Sequence, residues 1–350
     1  MTSVPLAHNF EDLLNRRDNI VIISHFNPDG DAIGSSVGMR CFLESRNCRA
    51  TIVIPSRMPE FLEFLDPGKR IVCYMDDKSG AKAAIHGAGL IICLDFNKLE
   101  RTEWLADELS GSSATKVLID HHPNPERQVF DLVISDPAAS STCELLYRTL
   151  MCFSSVASEP SRIPIEALTA LTTGILTDTN NFNNSITPDT FCIAADMLRA
   201  GVDFDTINNL IFKRYSESRM RLTGHLLSNS MSIDSRLHAS TMILTMNDRE
   251  RFHFADGDSE GLVNLPLMIR DVEVSALFSE TPDYVRVSLR SKGQVSVNAL
   301  SNAYFNGGGH ERAAGGRLYI PISETIEYFL NSLEQFLLST NNQIITKPEK

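Results

Sequence analysis

Residues 19–36 read NIVIISHFNPDGDAIGSS. The run Asn19–Ser24 is short, apolar and rich in Ile and Val, the composition of a strand buried on both faces of a sheet. A Gly-containing loop follows, and a helical period starts near Ile33. Working outward, residues Ala50–Ile54, Leu90–Asp95, Lys116–Asp120 and Leu132–Ser135 read as further strands. Ala139–Met151, Pro164–Leu176 and Phe191–Ala200 read as helices, the second with Pro in its first turn and the third ended by Gly201. Strands alternating with helices predict an α/β domain over residues 1–205, a parallel sheet with helices on both faces. A linker helix is expected over 206–235. Beyond it, Leu237–Met246, Val272–Glu280 and Tyr284–Ser291 alternate like half-exposed strands, and Ser323–Leu338 reads as a closing helix. These predict a smaller α/β domain with a mixed sheet over 236–345.

The chain has 350 residues, 32 of them basic and 44 acidic, for a net charge of −12. Gripping a long duplex through its phosphates requires a basic surface, so a small anion is the better expectation. A bound metal supplies positive charge locally, and clustered acids are what holds one. No apolar run is long enough to cross a bilayer, and the N-terminus lacks the apolar core of a signal peptide. Seven scattered cysteines without a C-x-x-C pair read as reduced thiols, and a cytoplasmic protein is expected.

Several strands deliver an acid or a histidine at their carboxyl ends. His25, Asp29 and Asp31 follow the first strand, and Asp95 ends GLIICLD. Asp120, His121 and His122 end TKVLIDHH, Asp136 follows VIS, and Asp178 closes the helix LTALTTGILTD. Each has an ordinary explanation alone, since an Asp after a strand is commonly a turn former or a helix cap. Together they form a mixed carboxylate–imidazole set at the side of a parallel sheet where ligands bind. That set favours Mn²⁺ or a related transition ion over Ca²⁺, and two such ions would clamp a phosphate and acidify the water between them.

The ordered segments HFNPDGDAIGS, ICLD, LIDHH and GILTD resemble the four motifs of the DHH phosphoesterases, which include RecJ nucleases, family II pyrophosphatases and nanoRNases. FNGGGHERAAGG resembles the glycine-rich signature of the DHH-associated C-terminal domain. The resemblance implies two Mn²⁺ ions, with Mg²⁺ or Co²⁺ as substitutes. His25, Asp29 and Asp95 would hold the first, and Asp31, Asp95, His121 and Asp178 the second. Asp120 would orient a ligand histidine, and His122 would stand beside the scissile phosphate as a donor.

Gly307, Gly308 and Gly309 would let backbone N–H groups approach a phosphate, with His310 and Arg290 as side-chain donors. Ser140, Ser141 and Thr142 fit either a helix cap or a segment near the active site, and Arg101 fits either a substrate contact or, as the expectation, a pairing with a surface acid. A compact chain without basic channel or sensor segments resembles the nanoRNase and pAp-phosphatase type. That implies short oligoribonucleotides and 3′-phosphoadenosine 5′-phosphate (pAp) as substrates, selected by length in a short cleft between the domains. Linear or cyclic dinucleotides, pyrophosphate, and a non-catalytic nucleotide sensor are the alternatives. A homodimer is compatible with the sequence but not read from it.

Overall fold

The computed structural model describes residues 4–16, 19–213, 215–255 and 257–345, with the side chains of residues 310 and 340–345 outside that description. The chain divides into two compact units, Met1–Arg214 and Tyr215–Lys350.

In the first unit the strands are β1 (Ile20–Ile23), β2 (Ala50–Ile54), β3 (Val72–Cys73), β4 (Leu90–Leu94), β5 (Thr115–Asp120) and β6 (Leu132–Ser135). All pair in parallel, in the order β3-β2-β1-β4-β5-β6. Side chains of β1 alternate between two cores. Ile20 and Ile22 pack beneath α1 (Val4–Arg16), α2 (Gly30–Glu44), α5 (Thr142–Met151) and α6 (Ile165–Asp178). Val21 and Ile23 pack beneath α3 (Lys78–His86) and α4 (Ala106–Gly111) on the opposite face. Both faces are therefore covered, which is why these strands are continuously apolar. The chain leaves β1 towards β2 and β3 on one side, then returns to β4 on the other. Connections diverge between β1 and β4, and this switch point opens the crevice at their carboxyl ends.

Helix α2 starts at Gly30 rather than near Ile33, because Asp29 caps it: the carboxylate accepts from the backbone N–H groups of Asp31 and Ala32, both at 3.0 Å. The polar first turn hides this start from a reading based on apolar period. Gly30, Gly34 and Gly38 recur every four residues and so share one face of α2. That face lies directly on α6. A methyl group at Gly34 would sit 2.5 Å from the carbonyl oxygen of Ala170, and one at Gly174 would sit 2.2 Å from the Cys143 sulfur.

The expected linker helix is two helices. Asp203 caps α8 (Phe204–Phe212), which follows α7 (Pro188–Arg199), and Ser216 caps α9 (Glu217–His225). Ile207 and Ile211 belong to the core of the first unit, whereas Leu222 and Leu226 belong to that of the second. Each segment is held by a different core, so the helix does not continue between them.

The second unit has a mixed sheet in the order β11-β12-β10-β9-β8-β7, with β8 and β9 parallel and its other pairs antiparallel. Its elements are β7 (Ser232–Asp234), β8 (Ala239–Leu244), α10 (Met246–Arg251), β9 (Val274–Glu280), β10 (Val285–Ser291), α11 (Val297–Tyr304), β11 (Gly308–His310), β12 (Ala313–Leu318) and α12 (Thr325–Ile345). Only β10 alternates between buried and open positions. β9 is buried along nearly its whole length, because Ala276 and Phe278 face one core and Leu277 faces another. No helix among the described residues is long and apolar enough to cross a membrane.

Gly34→Ala should destabilise the protein by about 1–3 kcal/mol, since overpacking forces two backbones apart. A denaturant midpoint equal to the parent's would show that α2 and α6 are not held at this spacing.

Candidate metal centre

The loop from β1 and the first turn of α2 present His25, Asp29 and Asp31; the end of β4 presents Asp95; the end of β5 presents His121 and His122; and the last residue of α6 is Asp178. Their donor atoms form three overlapping groups: His25, Asp29 and Asp95; Asp31, His121 and Asp178; and Asp95, His121 and His122. All six residues expected as ligands thus meet at the switch point, with Asp95 and His121 shared between groups. Asp136 does not join them; it pairs with Arg148 at 3.0 Å and accepts from the Ala138 backbone.

Backbone and hydrogen bonds set these donors in place. Asp95 takes a positive φ of 65°, a conformation that costs energy in a residue other than glycine and marks sites that the surrounding fold enforces. Asp31 is buried and accepts from the backbone N–H groups of Thr142 at 2.6 Å and Cys143 at 2.8 Å. These are the open amides at the start of α5, where the helix dipole favours an anion. The Thr142 hydroxyl donates to Asp95 at 3.0 Å, while Ser141 caps α5 by accepting from the Glu144 N–H. Helix cap and site support are therefore divided within one short segment, Ser141 doing the first and Thr142 the second.

The two candidate ligand histidines are oriented alike. His25 Nδ1 donates to the Phe26 carbonyl at 2.8 Å, leaving Nε2 as a lone-pair donor. That atom is buried and without a hydrogen-bond partner among the described residues, 3.4 Å from Asp95 and 3.9 Å from Asp29. His121 turns Nδ1 towards the Ala139 carbonyl at 3.4 Å, and its Nε2 lies 3.5 Å from Asp178 and 3.7 Å from Asp95. Imidazole nitrogens aimed at carboxylates, yet not hydrogen-bonded to them, suit a divalent cation between the groups.

Electrostatics agree. Burial, then repulsion from Asp31 and Asp29, raises the Asp95 carboxyl well above the ordinary carboxylate range. Burial raises Asp31 as well, and burial followed by repulsion from Asp31 and Asp29 pushes Asp178 up to about 8. Burial would lower His121, but the carboxylates of Asp31 and Asp95 more than offset it and hold the imidazole above its usual value. Burial and mutual repulsion disfavour the charged carboxylates, and a bound cation would relieve that cost.

His122 is held differently from the expectation. Its Nδ1 donates to Asp120 at 2.7 Å, so the Asp120 carboxylate orients His122 rather than His25 or His121. Arg101 pairs with no acid among the described residues: its guanidinium donates to His122 Nε2 at 3.0 Å. A guanidinium only donates, so His122 Nε2 is the acceptor there and the ring is the Nδ1–H tautomer. Arg101 is the residue that spacing alone undervalued; six positions after Asp95 carries no helical or strand period pointing back to the site. A cavity of about 460 Å³ opens beside His121, His122 and Ser140.

In the second unit, a cavity of about 840 Å³ is lined by Tyr284, Arg286, Arg290, Arg317 and the glycines 307–309. The glycine run answers to packing. A methyl at Gly307 would lie 1.9 Å from the Gly315 carbonyl oxygen, and Gly309, at φ 152°, already donates its N–H to Asn298 at 2.9 Å. The Gly309 amide is thus occupied within the chain, while all three glycines line the cavity that Arg290 also lines. Arg290 is the stronger anion donor: burial lowers its pKa, it donates to its own Leu289 carbonyl, and no carboxylate pairs with it among the described residues. His310 closes β11 through its backbone, and its side chain lies outside the described residues.

Carboxylates and imidazoles gathered at the switch point of a parallel sheet are the donor set of a metal-dependent phosphoesterase, the class to which the comparisons also lead. Residues 19–175 match the DHH family N-terminal domain, and residues 239–339 match the DHHA1 domain. An exopolyphosphatase-related protein from Bacteroides fragilis is 37% identical in sequence with a TM-score of 0.89, covering 96% of this chain and 97% of that one. The chain belongs to the DHH family. It is also similar to a probable bifunctional oligoribonuclease and PAP phosphatase NrnA of Streptococcus mutans (28% identity, 86% of this chain, 90% of that protein). A cyclic-di-AMP phosphodiesterase, GdpP of Bacillus subtilis, is 24% identical over 95% of this chain but only 50% of its own length.

The raised carboxyls make a pH prediction with a definite sign. A carboxyl whose folded pKa is raised stabilises the fold fully below its unfolded value of about 4 and loses that contribution as pH rises. For Asp178 the loss runs up to about 8. Chelator-treated protein should therefore melt at falling temperature over this window, and the rise in Tm on adding Mn²⁺ should grow from about pH 5 to about pH 8. An increment independent of pH would count against these carboxylates as the ligands.

Proposed function

We propose that this chain hydrolyses very short oligoribonucleotides to 5′-mononucleotides and removes the 3′-phosphate of pAp, using two Mn²⁺ ions. The observation that carries the reading is the set of three overlapping donor groups sharing Asp95 and His121. His25, Asp29 and Asp95 are assigned to one cation, and Asp31, Asp95, His121 and Asp178 to the other. Bound divalent cations neutralise charge developing on a phosphate and lower the pKa of water. The chain's own residues do the rest. Asp120 and Arg101 fix the His122 ring from its two nitrogens, and Thr142 fixes the Asp95 carboxylate. Arg290 and His310 are assigned to a substrate phosphate, Arg290 because it is a half-buried cation that no carboxylate pairs with among the described residues. Support for the substrate class comes from the Streptococcus protein, which matches over most of its length, whereas the cyclic-di-AMP phosphodiesterase matches over half. A cytoplasmic location belongs to the same reading.

Hydrolysis of an RNA dinucleotide, pAp, long RNA, linear and cyclic dinucleotides and pyrophosphate, with Mn²⁺ or chelator, tests it. Fast turnover of the RNA dinucleotide and pAp, lost with chelator, is the expected result. Preference for pyrophosphate or a cyclic dinucleotide would move the substrate, and binding without turnover would make the protein a sensor. Asp95→Ala should abolish turnover and metal loading together; retained activity would exclude Asp95 as the shared ligand. Arg290→Gln should raise KM about tenfold while leaving kcat within about twofold. An unchanged KM would remove Arg290 from substrate binding.

A further inference from the structure

The segment after Asp95 carries an aromatic surface that the metal centre does not use. Residues 99–105 turn through Glu103, whose φ of 47° and ψ of −111° are rare for a residue with a side chain. Contacts on both sides hold the turn. The Phe26 backbone N–H donates to the Arg101 carbonyl at 2.8 Å, and the Arg101 guanidinium reaches His122. Trp104 meets the Phe26 ring edge-to-face, with centroids 5.2 Å apart and planes at 83°. It also stacks on Tyr74, at 6.2 Å and 27°. With two rings already packed on it, Trp104 still exposes 48% of its surface.

Position separates this residue from an ordinary exposed aromatic. Phe26 directly follows His25, and Trp104 lies three residues after Arg101, so one braced segment sets an open indole against the neighbour of one candidate ligand and a guanidinium on His122. A nucleotide joins a flat aromatic base to a phosphate, and the segment offers a partner for each within one unit of the protein. We infer that Trp104, backed by Tyr74 and Phe26, is a stacking platform for a nucleobase of the substrate. This rests on the nucleotide-substrate reading above. Stacking tolerates any base, because every base presents a π-face. It discriminates nucleotides from inorganic phosphates instead.

Trp104 is the one tryptophan in the chain, which makes intrinsic fluorescence a direct reporter. The full-length protein, loaded with Mg²⁺, would be titrated with AMP and with ribose 5-phosphate, which lacks the base. AMP should quench the emission saturably, and ribose 5-phosphate should leave it unchanged. Trp104→Ala should raise KM for the RNA dinucleotide roughly tenfold to a hundredfold, the range lost when one base stack is removed. Trp104→Phe should recover most of that loss, which a merely misfolded variant would not explain. Equal response to AMP and ribose 5-phosphate, or an unchanged KM in Trp104→Ala, would overturn the platform. Saturable quenching by AMP in a protein that hydrolyses no nucleotide would uphold the platform while the proposed activity failed.

Discussion

The metal centre depends on how closely helix α2 lies against α6. Gly34 and Gly174 face backbone and sulfur atoms at distances that leave no room for a methyl group. That approach brings Asp31, in the first turn of one helix, towards Asp178, at the last residue of the other. Helix pairs with bulky side chains at the contact hold their axes about 8–10 Å apart, and glycine at these positions permits the closer approach. The same contact puts Asp31 against the start of α5, whose amides take both carboxylate oxygens. A buried anion is costly unless hydrogen-bonded and paired. Here the hydrogen bonds are built into the helix start, and the pairing is left to His121 and to a cation.

This division of tasks explains why single residues look overdetermined. Asp29 caps α2 with Oδ1 and belongs to a donor group as well, because a carboxylate oxygen can accept more than one contact. Thr142 begins α5 and also holds Asp95. A choice between helix cap and functional ligand is therefore a false one at Asp29, and in the segment Ser141–Thr142 adjacent residues take one task each.

Parallel strands and the gathering of ligands were legible because both follow from one pattern: apolar runs ending in Asp or His, with intervening helices. The start of α2 was not, because a cap of polar residues carries no apolar period. Nor was the break at Ser216, since two short helices in tandem share the composition of one long helix and differ only in which core receives Ile211 and Leu222. The glycine run 307–309 invited a reading as a phosphate cradle, but close backbone packing needs glycine equally, and sequence does not distinguish the two demands. Arg101 lay outside any periodic signal, and what places it is the hydrogen bond from Phe26 to its carbonyl.

The Arg101–His122–Asp120 chain constrains the chemistry further. Asp120 is fully buried, and its Oδ2 has no hydrogen-bond partner among the described residues, so its one fixed contact is with His122. Asp120 thereby commits His122 Nδ1 to donating, and Arg101 commits Nε2 to accepting. In this state the donor facing the site is the guanidinium, not the imidazole. For His122 to give a proton to a leaving oxygen, Arg101 must first turn away and Nε2 must gain a proton. A substrate phosphate is the natural agent of that exchange: it accepts from Arg101 more strongly than a neutral imidazole does, since the bond is charged at both ends. Binding and proton supply would then be linked at one pair of side chains, so that His122 is freed for protonation only when an anion has taken its guanidinium.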